Sequence, residues 1–167
     1  GIAGGADVVL IPEIPFRFES VVERVQARER LGARFSIVVV AEGAYEQGGV
    51  RSVVSSGTAD RAERLGGIGE HVSRELERLT GKESRFVVLG HLQRGGAPLA
   101  YDRVLATRFG SFAVELLLRG QFGTMTALRS PDIVAVPFEE VVGRTRNVPI
   151  NGDVVQTARS VGICFGD

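Results

Sequence analysis

The run Phe86-Val87-Val88-Leu89-Gly90-His91-Leu92-Gln93-Arg94-Gly95-Gly96 decides how this sequence is read. Four apolar residues in a row, without polar alternation, predict a buried strand over 85–89. The glycines that follow predict a turn in which backbone approaches a ligand closely. That turn carries one imidazole and one guanidinium. Arg94 suits bidentate contact with a phosphate, and His91 can donate to a phosphate or a hydroxyl. The spacing predicts an anion-binding turn at the carboxyl end of a strand, where open α/β sheets place their ligands.

Working outward, Val8–Ile11 reads as a short strand closed by Pro12 and Pro15, and Glu19–Leu31 as a helix ended by Gly32. Phe35–Ala41 is a β-branched run expected to be a strand buried on both faces. The stretch from Gly43 to Gly66, with Gly48-Gly49 and Ser55-Ser56-Gly57, reads as loop with some helix. Ile68, Val72, Leu76 and Leu79 recur at helical spacing and predict a helix over 68–80, stopped by Gly81. Gly66-Gly67-Ile68-Gly69 is better read as a loop entering that helix than as an anion site. Tyr101–Arg119 is the longest predicted helix, with Leu105, Phe109, Phe112, Leu116 and Leu117 inward. Short strands are expected over 124–128 and 133–136, and a last helix over 154–161 capped by Asn151. Strands alternating with helices imply an α/β fold with a mostly parallel sheet.

Composition narrows the function classes. The chain has 167 residues, 44% of them hydrophobic, and 20 basic residues balance 20 acidic ones. That content supports a real core, and the zero net charge argues against a polyanion-coating surface or an electrostatic membrane anchor. Lys82 is the only lysine. Cys164 is the only cysteine, which excludes an intrachain disulfide and a Cys-rich metal site. No apolar run reaches the roughly 18 residues of a membrane span. His71 and His91 are the only histidines, with no metal-ligand spacing, and no Gly-x-Ser-x-Gly elbow is present.

The string from Gly90 to Pro98, followed by Tyr101-Asp102-Arg103 and Ala106, resembles the sugar-phosphate turn of the 6-phosphofructokinase family. The resemblance runs from Gly5-Ala6-Asp7-Val8-Val9-Leu10-Ile11-Pro12-Glu13 to the Phe109–Gly120 region and weakens after about residue 130. It implies two doubly wound α/β domains. Residues 1–92 would be the remainder of the sugar-phosphate-binding domain. Residues 93–167 would complete the nucleotide-side domain, with a C-terminal return. Such enzymes are roughly twice this length. Their Gly-rich phosphate loop, Gly-Gly-Asp segment and Thr-Ile-Asp-Asn-Asp segment with the catalytic aspartates are absent here. The resemblance therefore implies the C-terminal half of a phosphofructokinase, inactive in isolation; the alternative is a complete small protein with a borrowed module.

The resemblance also implies roles. Glu42 would hold the sugar of fructose 6-phosphate, and His91 and Arg94 its 6-phosphate. Arg85 would reach the 6-phosphate in a neighbouring subunit's site, which implies a homodimer or homotetramer. Asp7 matches an acid that contacts the divalent ion of a bound nucleotide effector. The two effector lysines are replaced by Leu31 and Ala33, with Arg34 adjacent, so Asp7 is read as structural. The reaction would move a phosphoryl group from ATP or pyrophosphate to the 1-hydroxyl of fructose 6-phosphate, with Mg²⁺ ligands in the other half. A cytoplasmic enzyme that binds neither nucleic acid nor membrane is expected. The rival reading is a non-catalytic sugar-phosphate-binding module or regulatory subunit.

Overall fold

Alternation along one short strand organises the core. In the computed structural model, which describes residues 1–49, 53–55, 64–65 and 67–167, β1 (Val8–Leu10) is paired in parallel with β2 (Val38–Val40). Val8 and Leu10 enter one cluster with Phe16, with Phe18 and Val21 of α1 (Phe18–Arg30) and with Ile68, Val72 and Leu76 of α2 (Ile68–Thr80). Val9 and Ile11 pack on the opposite cluster, where Val155 and Ala158 of the C-terminal helix (Asp153–Ser160) meet Ile163 and Phe165. Helices thus cover both faces of the parallel pair, the layering of an α/β domain.

Each helix boundary has a local cause. At the end of α1 the Gly32 amide donates to Glu29 O and the Ala33 amide to Arg28 O. This double return needs the positive φ of 89° that Gly32 adopts. Helix α2 starts and stops where the spacing predicts, between Gly67 and Gly81. Between β2 and α2, β3 (Val53–Ser55) and β4 (Arg64–Leu65) pair antiparallel. Gly66 and Ser56-Gly57 lie outside the described residues.

The chain divides into two compact units: 1–88 with 147–167, and 89–146. The second contains a 3₁₀ turn (His91–Arg94), α3 (Ala100–Leu118) and a hairpin of β5 (Thr124–Arg129) and β6 (Asp132–Pro137). Leu116 and Val136 are buried there. The C-terminal helix, α4, returns to the first unit.

Four readings need correction. Residues 85–89 form no strand, and Val87 and Val88 are 73% and 78% exposed. The run has no paired neighbour among the described residues, and without one an apolar segment stays at the surface. The strand expected over 35–41 is confined to Val38–Val40, with Phe35 71% exposed. Leu117 is 60% exposed, while the neighbouring Leu116 is the α3 side chain that is buried. Asn151 does not cap α4; Gly152 holds that position without a side-chain bond.

Candidate functional site

The expected site residues fall in both units. In the first, Glu42 stands two residues beyond β2, on the exposed turn that follows Ala41. The Ala41 amide donates to Leu10 O at 2.8 Å and the Ala44 amide to Ala41 O at 2.9 Å. These bonds pin the carboxyl end of β2 beside that of β1 and leave the Glu42 carboxylate facing solvent. Arg85 is exposed and pairs with Glu83, its Nε donating to Oε1 at 2.8 Å and the second contact closing at 2.6 Å. An exposed pair of this kind is weak and readily exchanged for another anion.

In the second unit, His91, Leu92, Gln93 and Arg94 form one 3₁₀ turn, with the Gln93 amide on Leu89 O and the Gly95 amide on Leu92 O. Side chains three apart eclipse in such a turn. His91 and Arg94 therefore issue from the same side, and both are exposed. Gly96, at φ 90°, turns the chain toward Pro98 and α3 in a conformation costly for other residues. Asp102 accepts the Leu99 amide at 2.9 Å and closes the first turn of α3. This is half of a capping box, since leucine has no oxygen to return the bond.

Asp7 sits differently. It is only 6% exposed. One carboxylate oxygen accepts the Ile37 amide at 2.8 Å, and the other meets Arg28 at 2.8 Å. It ties the start of β1 to the approach of β2 and to α1. Sequence reasoning missed Arg28, whose helical position shows no sign of reaching back to β1. It also missed Glu13, which accepts the Val148 amide at 2.8 Å and ties the loop after β1 to the returning C-terminal segment. Among the described residues no three His, Cys, Asp or Glu side chains gather as metal ligands, and no helix is long and apolar enough to cross a membrane.

Comparison with known proteins follows the same lines. The family model described as phosphofructokinase matches residues 1–117. The chain is 56% identical to the ATP-dependent 6-phosphofructokinase of Chloroflexus aggregans over 167 residues, covering 100% of this chain and 45% of that one. It is 53% identical over 152 residues to the pyrophosphate–fructose 6-phosphate 1-phosphotransferase of Amycolatopsis methanolica, covering 89% and 44%. Among solved structures it resembles the pyrophosphate-dependent phosphofructokinase of Marinobacter aquaeolei, with a TM-score of 0.66 at 22% identity over 98% of this chain and 42% of that one. It also resembles the phosphofructokinase of Saccharomyces cerevisiae, with a TM-score of 0.60 at 26% identity over 81% and 17%. The chain thus spans less than half the length of the curated relatives it matches. With an α/β fold, a family match over most of its residues and relatives at this identity, the chain belongs to the phosphofructokinase family.

Proposed function

We propose that these residues are the C-terminal half of an enzyme that phosphorylates the 1-hydroxyl of fructose 6-phosphate, giving fructose 1,6-bisphosphate, and that they supply its sugar-phosphate side. The 1-hydroxyl oxygen attacks the terminal phosphorus of the donor as the bond to the donor's bridging oxygen breaks. The hydroxyl proton passes to a base outside this chain. In such transfers the protein mainly positions the partners and stabilises charge. His91 and Arg94 hold the 6-phosphate, and Glu42 accepts hydrogen bonds from the sugar hydroxyls. Arg85 leaves Glu83 to reach the phosphate in a neighbouring subunit's site of a homodimer or homotetramer. Residues 1–92 belong to the sugar-phosphate domain, and 93–167 complete the nucleotide-side domain with a C-terminal return toward the first. Mg²⁺, held by residues outside this chain, supplies charge neutralisation on the donor. The donor is ATP or pyrophosphate, as the names of relatives in both groups suggest. Asp7, with both oxygens engaged, serves the fold.

The observation that carries this reading is the exposed 3₁₀ turn that presents an imidazole and a guanidinium from one side. The test uses the complete enzyme. Arg94→Ala loses a charged contact worth about 1.5–3 kcal/mol and should raise KM for fructose 6-phosphate about ten- to a hundredfold. An unchanged KM removes Arg94 from the site. A complete protein that binds fructose 6-phosphate without turning it over would favour the non-catalytic module.

A further inference from the structure

The four residues 82–85, between α2 and the apolar run, alternate in what they touch. Lys82 Nζ donates to Glu29 Oε1 of α1 at 2.6 Å. The Ser84 hydroxyl accepts from Ser73 Oγ of α2 at 3.0 Å. Glu83 and Arg85 are the alternate residues, two apart as on one side of an extended chain, and they meet each other. Arg85 Nε donates to Glu83 Oε1 at 2.8 Å, and Nη2 stands 2.6 Å from the same oxygen. Otherwise the pair is open to solvent, with 71% of the Glu83 side chain and 84% of the Arg85 side chain exposed.

The Nε–Nη2 edge of a guanidinium is one that forks onto a phosphate. In Arg85 a carboxylate already takes that edge, and the anchored residues on either side of Glu83 fix where it does so. We propose that Glu83 is a positioning residue for the sugar phosphate: it parks Arg85 until the 6-phosphate displaces it, and so sets part of the KM for fructose 6-phosphate. The inference rests on the reading that Arg85 reaches the 6-phosphate in a neighbouring subunit's site. Two effects act in one direction. The guanidinium must turn from Glu83 before it can bind, so only the unpaired fraction of Arg85 is competent. The carboxylate also repels an incoming phosphate ester, which carries close to two negative charges. A phosphate with that charge and three acceptor oxygens still displaces the carboxylate, because a pair this exposed is weak. A weak pair of this kind lowers the apparent affinity about two- to sixfold.

The test is steady-state kinetics on the complete enzyme that carries these residues. Both side chains are exposed, so the variants should unfold in urea with the wild type. Glu83→Gln should lower KM for fructose 6-phosphate about two- to sixfold and leave kcat in place. Arg85→Ala should raise KM about tenfold or more. Glu83→Gln added to Arg85→Ala should then change KM no further, because Glu83 acts through the guanidinium. If Arg85→Ala raises KM but Glu83→Gln leaves it at or above the wild-type value, the role of Glu83 is overturned and the sugar-phosphate assignment stands. An equal fall in KM with and without Arg85 overturns it too, since the carboxylate would then act on the phosphate directly. If Arg85→Ala leaves KM unchanged, the assignment of Arg85 fails and that of Glu83 falls with it.

Discussion

Replacing Asp7 tests the ion pair that ties β1, β2 and α1 together. In Asp7→Ala the Arg28 guanidinium loses a partner at 2.8 Å and the Ile37 amide loses its acceptor at 2.8 Å. Arg28 Nε is already buried without a partner, so the loss falls on a group with little left to satisfy it. Breaking a fully buried pair costs about 3–5 kcal/mol. Here the Arg28 side chain keeps 30% of its exposure against 8% for Asp7, and water recovers part of the loss. A value near 3 kcal/mol follows, about half from the guanidinium and half from the amide. Asp7→Asn retains an acceptor for Ile37 and should cost about 1–2 kcal/mol. Urea unfolding is the assay. With a slope near 2 kcal/mol per molar, Asp7→Ala should lower the midpoint by about 1.5 M and Asp7→Asn by roughly half as much. A loss under about 1 kcal/mol for Asp7→Ala, or no difference between the two variants, would refute the reasoning.

Phe16 is fully buried and meets Phe18 edge-on at 5.2 Å; Phe16→Ala should cost about 3–5 kcal/mol in the same unfolding assay. Asp102→Ala removes the acceptor that closes the first turn of α3 and should cost about 0.3–1.5 kcal/mol, with fraying at Leu99–Asp102 visible by hydrogen exchange. The Arg159 guanidinium, hydrogen-bonded to Asp167, holds that carboxyl below its ordinary range, with partial burial opposing. A depressed carboxyl contributes stability above its unfolded value of about 3.9 and loses it as pH falls through the lower folded value. Asp167→Asn should therefore flatten a small acid limb below about pH 4. Because Asp167 is 43% exposed, screening keeps the limb well under about 1 kcal/mol.

The elements that sequence revealed are those whose causes are local. Ile68, Val72, Leu76 and Leu79 with Gly81 contain everything that makes α2, and its bounds follow from them. Residues 85–89 show the limit. An apolar run signals that burial is wanted, but not which segment provides it, and among the described residues none pairs with it. The turn after it was legible as a presenter of His91 and Arg94, though not as a 3₁₀ turn, which depends on the Leu89 and Leu92 carbonyls. Asp7 was legible as structural only through what the resemblance lacked at Leu31 and Ala33. Its actual partner, Arg28, is brought near by the packing of α1.

The C-terminal return has a consequence for how the protein is made. The Val9 amide donates to Cys164 O, the Cys164 amide to Asp7 O and the Arg17 amide to Gly166 O. One flank of β1 therefore waits for residues synthesised after the whole second unit. During translation the first unit holds that flank unfilled until the residues after 146 emerge. Pairing across so long a loop is slow. Residues 1–88 should thus gain full resistance to proteolysis only after 147–167 have emerged.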